Sequence, residues 1–98
     1  MEIRFEWDPA KAEANLRKHG VSFEAAARVF FDPFMLSAQD RIEGGEYRWQ
    51  TVGLVDGVLL LLVAHTVRDE DDGGDVIRII SARRAERRER WSYEQQDR

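Results

Sequence analysis

The sequence predicts an α+β domain: an antiparallel β-sheet with two N-terminal helices and a C-terminal helix. Three observations carry this reading. Helix-period patterns with capping residues fall at both ends of the chain. Apolar runs, alternating or continuous, fill the middle. Those runs are separated by Gly44-Gly45 and Asp56-Gly57, short turns that favour hairpins and so antiparallel neighbours. Helices at the chain ends can then cover the sheet. With 98 residues, positions 1–98 read as a single domain with one modest core.

Each element follows in order. "IRFEW" alternates Ile3, Phe5 and Trp7 with charged residues, a short amphipathic strand. Asp8 is placed to cap a helix that Pro9 begins, and Gly20 to end it in the left-handed conformation. Ala12, Leu16 and Asn15 fall on one face of that helix, with Lys18 and His19 in its last turn. Ser22 caps a second helix whose inward stripe is Phe23, Ala26, Ala27 and Phe30, with Val29 close by; Asp32-Pro33 ends it. "FMLSAQD" and "YRWQTVGLV" read as strands. "VLLLLVAHTVR" is apolar on both faces at its start, as a central strand is. "VIRIISA" is the last strand, and "SARRAERRERWSYEQQ" closes the chain as a helix capped by Ser81.

Composition bounds the function. The chain has no cysteine, so a disulfide framework or a cysteine zinc site is excluded. The N-terminus lacks the apolar segment of a signal peptide, and the run "GLVDGVLLLLVA" is too short to span a bilayer. The chain reads as soluble and cytoplasmic, with no membrane partner. Its net charge is −4, but Asp69, Glu70, Asp71, Asp72 and Asp75 concentrate five negative charges in one mobile surface loop; the remainder carries +1. Arg83, Arg84, Arg87, Arg88 and Arg90 make the C-terminal end locally basic. Contact with phosphates and a solvated helix face with internal ion pairs are both open readings of that end.

The chemistry is read mostly by elimination. His19 and His65 stand outside any metal-ligand spacing, and the acidic loop lacks the distal glutamate of an EF-hand, so no metal and no cofactor are expected. No nucleophile motif or phosphate-cradling loop occurs. What remains is a set of arginines and histidines on strands and helix ends. By strand alternation His65 shares a face with Leu61, Val63 and Val67, and Arg68 lies on the other. Arg78 sits inside an apolar strand, where a guanidinium needs water or a partner. It is either a structural arginine paired with a carboxylate or a phosphate clamp on the open face of the sheet. Metal-free RNA cleavage needs only a base, an acid and cations to hold the phosphorane charge. His19, His65 or Tyr93 could move protons; Arg48, Arg68, Arg78, Arg83 and Arg84 could hold charge.

The phrases "FEWDPAKAEANLRKHGVSFEAAARVFFDP", "HTVRDE" and "IRIISARRAERRERWSYE" together resemble the BrnT toxin family of bacterial type II toxin–antitoxin systems, through almost the whole chain. The resemblance implies a RelE-like ribonuclease fold and a metal-independent endoribonuclease that arrests translation. It implies neutralisation by a BrnA-type antitoxin, with operator DNA bound only through the complex. It places Lys11, Asn15, Lys18, His19 and Gly20 in the family's first motif, and His65, Arg68, Arg78 and Arg83 in its strand and "SAR" motifs. Tyr93 resembles the C-terminal tyrosine of some RelE-like enzymes. The expected site is therefore Arg78, Arg68 and His65 first, then Arg83, His19 and Tyr93. The alternative is a non-catalytic partner- or nucleic-acid-binding module; the α-break-α segment "KAEANLRKHGVSFEAAARVF" superficially resembles a helix-turn-helix, though its second helix offers mainly Glu24 and Arg28 to bases. The acidic loop, if it flanks a phosphate site, opposes RNA binding.

Overall fold

Asp8 and Gly20 frame the first helix as the sequence requires. The Asp8 carboxylate accepts from the Ala10 N–H at 2.8 Å, and Gly20, at φ +70°, donates its N–H to Leu16 O at 2.9 Å. The computed structural model describes residues 2–96. Its elements run β1 (Ile3–Glu6), α1 (Pro9–His19), α2 (Phe23–Ala27), a 3₁₀ turn (Arg28–Phe31), β2 (Leu36–Glu43), β3 (Glu46–Val55), β4 (Leu59–Asp69), β5 (Asp75–Arg84) and α3 (Arg87–Glu94). The order is the expected one.

The five strands form one sheet in the order β1-β5-β4-β3-β2, with β4 at its centre. Strands β2 to β5 make an antiparallel meander through the two Gly-rich turns and the acidic turn. β1 departs from expectation: it lies parallel to β5, Phe5 opposite Ile77 and Glu6 opposite Arg78, so the sheet is mixed. Hairpin signals specify only strands adjacent in sequence. The direction of β1 is set by a pairing across most of the chain, for which no local signal exists.

β1 covers only the first half of β5. Beyond Arg78 the outer edge of β5 is taken by α1, and Asn15 supplies the hydrogen bonds of the missing strand. Its Nδ2 donates to Ala82 O at 2.8 Å and to Val21 O at 3.0 Å, and its Oδ1 accepts from the Ala82 N–H at 3.1 Å. Asn15 is therefore buried, whereas Leu16, expected on the inner face, is half exposed. The helix meets the polar backbone of a strand edge there, so the inward position calls for an amide.

The closing helix also starts later than expected. Ser81 to Arg84 continue β5, with Ser81, Ala82 and Arg83 opposite Ala64, Val63 and Leu62. α3 begins at Arg87 behind Glu86, which forms a reciprocal capping box with Glu89. Burial of Ala82 and the ladder to β4 override the helical propensity of "SARRA".

One face of the sheet carries the main core. Val21, Phe23, Ala26, Val29 and Phe30 pack on Val55, Leu61, Val63, Ile77, Ile79 and Ala82, with Trp7 edge-on to Phe23. α2 is five residues long and buries Phe23 and Ala26 completely, so its inward stripe serves the core. The second face is covered at one end only, where Tyr93 of α3 packs on Val52, Leu60 and Leu62. The rest of that face is open. Among the described residues no helix is long and apolar enough to cross a membrane.

Candidate active site

The open face is built by strand alternation. Arg4 and Glu6 of β1, Arg78 of β5, Thr66 and Arg68 of β4, and Arg48 and Gln50 of β3 point the same way, because Arg4 and Arg68 both oppose Val76, Arg78 opposes Thr66, and Gln50 opposes Ala64. Each arginine there meets a glutamate. Arg68 grips Glu6 with two bonds, 2.9 and 3.3 Å. Arg78 Nη2 lies 2.6 Å from Glu46 Oε1, Arg48 Nη2 3.2 Å from Glu43 Oε2, and Arg4 pairs with Glu70. The Arg68 bond holds the Glu6 carboxyl below its ordinary range.

Arg48 and Arg78 converge at the edge of this face on a cavity of about 200 Å³, lined also by Lys11, Asp8 and Ile80. Ile80 is the extra residue of a β-bulge, since Ser81 opposes Ala64 and Ile79 opposes His65. The Nε of Arg48 is buried and has no hydrogen-bond partner among the described residues. A neighbouring cavity of about 220 Å³ is lined by Lys11, Ala14, Lys18, His19 and Ile80. Lys11 and Ile80 belong to both, so the two adjoin as one groove from the end of α1 to Arg48 and Arg78 at the edge of the open face. The groove has five basic side chains, Lys11, Lys18, His19, Arg48 and Arg78, and one lining carboxylate, Asp8, which caps α1. The lysine and histidine ahead of Gly20 thus turn the last turn of α1 into a groove wall.

The expected residues separate into two sets. Arg78 and His19 line the groove, and Arg68 is on the same face, tied to Glu6. The other three are elsewhere. His65 lies on the core face, 3% exposed, with its Nε2 2.7 Å from Thr51 Oγ1 and its ring edge-on to Phe30. Burial pushes its pKa down to about 4, a shift the Thr66 carbonyl partly opposes. Arg83 holds both oxygens of Glu89, at 2.9 and 2.8 Å, and fastens α3 to the end of β5. Tyr93 is buried, its hydroxyl donating to Asp32 Oδ2 at 2.5 Å, while the same oxygen accepts from the Leu54 N–H at 2.7 Å. Lys11, Lys18 and Arg48 are the basic groove residues absent from the expected site. Lys11 shares a motif with His19 one helical face along; nothing local marks Arg48, which reaches the groove only because β3, β4 and β5 are neighbours.

The acidic turn closes the β4–β5 hairpin, where Asp69 opposes Asp75 and a hydrogen bond to Asp69 raises the Asp75 pKa. Glu70 is partly neutralised by Arg4. The turn lies three residues along β5 from Arg78, about 10 Å at the rise of a strand, on the side away from α3. No group of three or more metal-ligating side chains is clustered among the described residues.

Residues 7–89 match the family described as "Ribonuclease toxin, BrnT, of type II toxin-antitoxin system". Among solved structures the chain is similar to the Brucella abortus ribonuclease toxin BrnT, with a TM-score of 0.60 at 19% sequence identity, covering 88% of this chain and 100% of that one. This likeness is one of fold. No curated protein matches the sequence. The family match spans most of the chain, including both walls of the basic groove, and the chain belongs to the BrnT family of ribonuclease toxins of type II toxin–antitoxin systems.

Proposed function

We propose that the chain is a metal-independent endoribonuclease, on a RelE-like frame, whose site is the groove between α1 and the open sheet face. It cuts RNA in the bacterial cytoplasm, halts translation and is neutralised by a BrnA-type antitoxin; operator DNA is contacted through that complex. The supporting observation is the buried, unpartnered Nε of Arg48 beside Arg78 and Lys11. A buried N–H donor without an acceptor is rare in folded proteins, and a phosphate oxygen is the acceptor that a cationic cavity favours.

In this reading Lys11, Arg48 and Arg78 hold the scissile phosphate and the charge that grows on it. His19 takes the proton of the 2′-hydroxyl as its oxygen attacks phosphorus. The bond from phosphorus to the 5′-oxygen breaks, and that oxygen takes a proton from a lysine ammonium of the groove, Lys11 or Lys18. The products are a 2′,3′-cyclic phosphate and a 5′-hydroxyl; exchange with water resets both groups. Arg68 flanks the phosphate. His65, Arg83 and Tyr93 hold the frame.

Incubating the purified chain, free of antitoxin, with a defined RNA in EDTA tests this, with Arg78→Ala alongside. Cleavage by the wild type and its loss in a folded Arg78→Ala protein support the proposal. Equal cleavage by both overturns the site. A second reading, a partner-binding module without catalysis, is favoured by the glutamates on Arg48, Arg68 and Arg78, which compete with phosphate for the same donors. A folded wild type that binds the antitoxin and cuts no RNA, naked or ribosome-bound, selects that reading.

A further inference from the structure

The open face carries a second depression, next to the groove and of a different character. It is a slot of about 340 Å³ between β2, β3 and α3. Its floor is apolar: Leu36, Ala38, Val52 and Leu62, which share the face of Arg48 because Leu36 opposes Val52 and Val52 opposes Leu62. Its rim is polar: Gln50 on the groove side, and Ser92, Arg88 and Glu89 on the α3 side, the Glu89 carboxylate being neutralised by Arg83.

Three relationships define what fits. Gln50 is two residues from Arg48 on the same face of β3, about 7 Å along the strand, so slot and groove adjoin. The Gln50 Nε2 donates one long bond, 3.4 Å, to Asp40 Oδ2, which leaves its second N–H and its carbonyl oxygen available. Arg88 makes no ion pair among the described residues, whereas Arg83 beside it is held by Glu89. An apolar floor, an amide on one rim and a free guanidinium on the other match a flat heterocycle with polar edges followed by an anion.

We infer that this slot is a nucleobase subsite: it receives the base of a nucleotide flanking the phosphate held at Arg48 and Arg78, with Gln50 reading the base edge and Arg88 contacting the next phosphate. The inference rests on the proposed ribonuclease reading and makes Gln50 the residue that sets which base is accepted. A site built to hydrogen-bond one pattern of donors and acceptors discriminates against the others, because a mismatched edge leaves buried polar groups unpaired.

The test is a binding measurement, so that it stands apart from catalysis. The four ribonucleoside 3′-monophosphates and inorganic phosphate are titrated separately into the isotope-labelled full chain and followed by NMR. The expected result is saturable shifts of the Gln50 side-chain amide and of the Val52 and Leu62 methyls with nucleotides and not with phosphate. One base should bind about tenfold more tightly than the weakest, a preference that Gln50→Leu levels. Ala38→Trp, on the exposed edge strand, fills the slot and should abolish those shifts while leaving phosphate-induced shifts at Arg48 and Arg78. Shifts confined to the groove, or a full nucleotide response in both variants, overturn the subsite. If the wild type cuts RNA and Gln50→Leu cuts at the same positions with the same frequencies, the subsite fails and the ribonuclease reading stands. Base-selective slot binding by a chain that cuts no RNA has the reverse meaning.

Discussion

The Asn15 carboxamide exchanges two hydrogen bonds with the backbone of Ala82, donating to its carbonyl at 2.8 Å and accepting from its N–H at 3.1 Å. One side chain thus completes the edge of β5 where β1 stops. It also fixes α1 against the sheet, which places Lys11, Lys18 and His19 opposite Arg78. The geometry of the groove depends on this contact.

Asn15→Ala leaves both Ala82 groups and the Val21 carbonyl without their partner. The expected loss is about 3 kcal/mol, the sum of buried groups left unpaired. Asn15→Asp should be no better, because its oxygen faces the Ala82 carbonyl where a donor is needed. Urea unfolding of the three proteins decides it; an Asn15→Asp protein as stable as wild type would show that the Ala82 carbonyl does not need its donor.

His65 makes folding pH-dependent. Its pKa falls from 6.5 unfolded to about 4 folded, so between these values the unfolded chain binds more protons. Stability therefore rises with pH across that window and is flat in this respect above it. Acidification from pH 7 to pH 4 should cost about 3 kcal/mol through His65 alone. His65→Gln, which keeps a polar contact for Thr51 and cannot titrate, should lose that much less over the same range. Parallel stability profiles for the two proteins would refute the assignment.

The proposed chemistry assigns the two histidines different roles. His19→Ala should lower RNA cleavage about 100-fold or more with little change in thermal stability, since the side chain lines the groove. His65→Gln should retain cleavage at pH 7. Arg48→Ala and Arg78→Ala should each cost about 100-fold, as removal of a charge-stabilising donor does. Growth arrest on expression without antitoxin should give the same ranking in cells. An inactive but stable His65→Gln would move the chemistry to the core face.

Tyr93→Phe separates packing from the hydroxyl. The ring fills the small core under α3, and the hydroxyl binds a carboxylate that also holds the Leu54 N–H. Loss of the hydroxyl should lower stability by about 2 kcal/mol and leave RNA cleavage near wild type. Cleavage that falls 100-fold in a stable Tyr93→Phe protein would make the phenol a proton donor instead.

Gly53 faces the 3₁₀ turn across the core. A β-carbon there would come within 2.7 Å of Val29 Cγ1 and 2.9 Å of its carbonyl oxygen. Gly53→Ala should lower stability by about 2 kcal/mol by overpacking. An unchanged melting temperature would show that the turn yields without cost.

The sequence by itself determined the elements and their order. Asp8, Pro9 and Gly20 delimit α1, Ser22 opens α2, and Gly44-Gly45 and Asp56-Gly57 set the hairpins, because caps and turns are local chemistry. Strand alternation also put His65 and Arg68 on opposite faces, and the family motifs were legible as runs of residues. Tertiary structure alone decided the parallel pairing of β1, the continuation of β5 to Arg84 and the burial of Asn15, each settled by a partner far away in sequence. It also decided which candidate residues meet. Alternation assigns a residue to a face, and only packing says which face is open. Phe30 of the 3₁₀ turn closes over His65, Glu89 of α3 locks Arg83, Tyr93 packs inward from α3, and the neighbouring β3, β4 and β5 bring Arg48 to Arg78 beside Lys11 and His19.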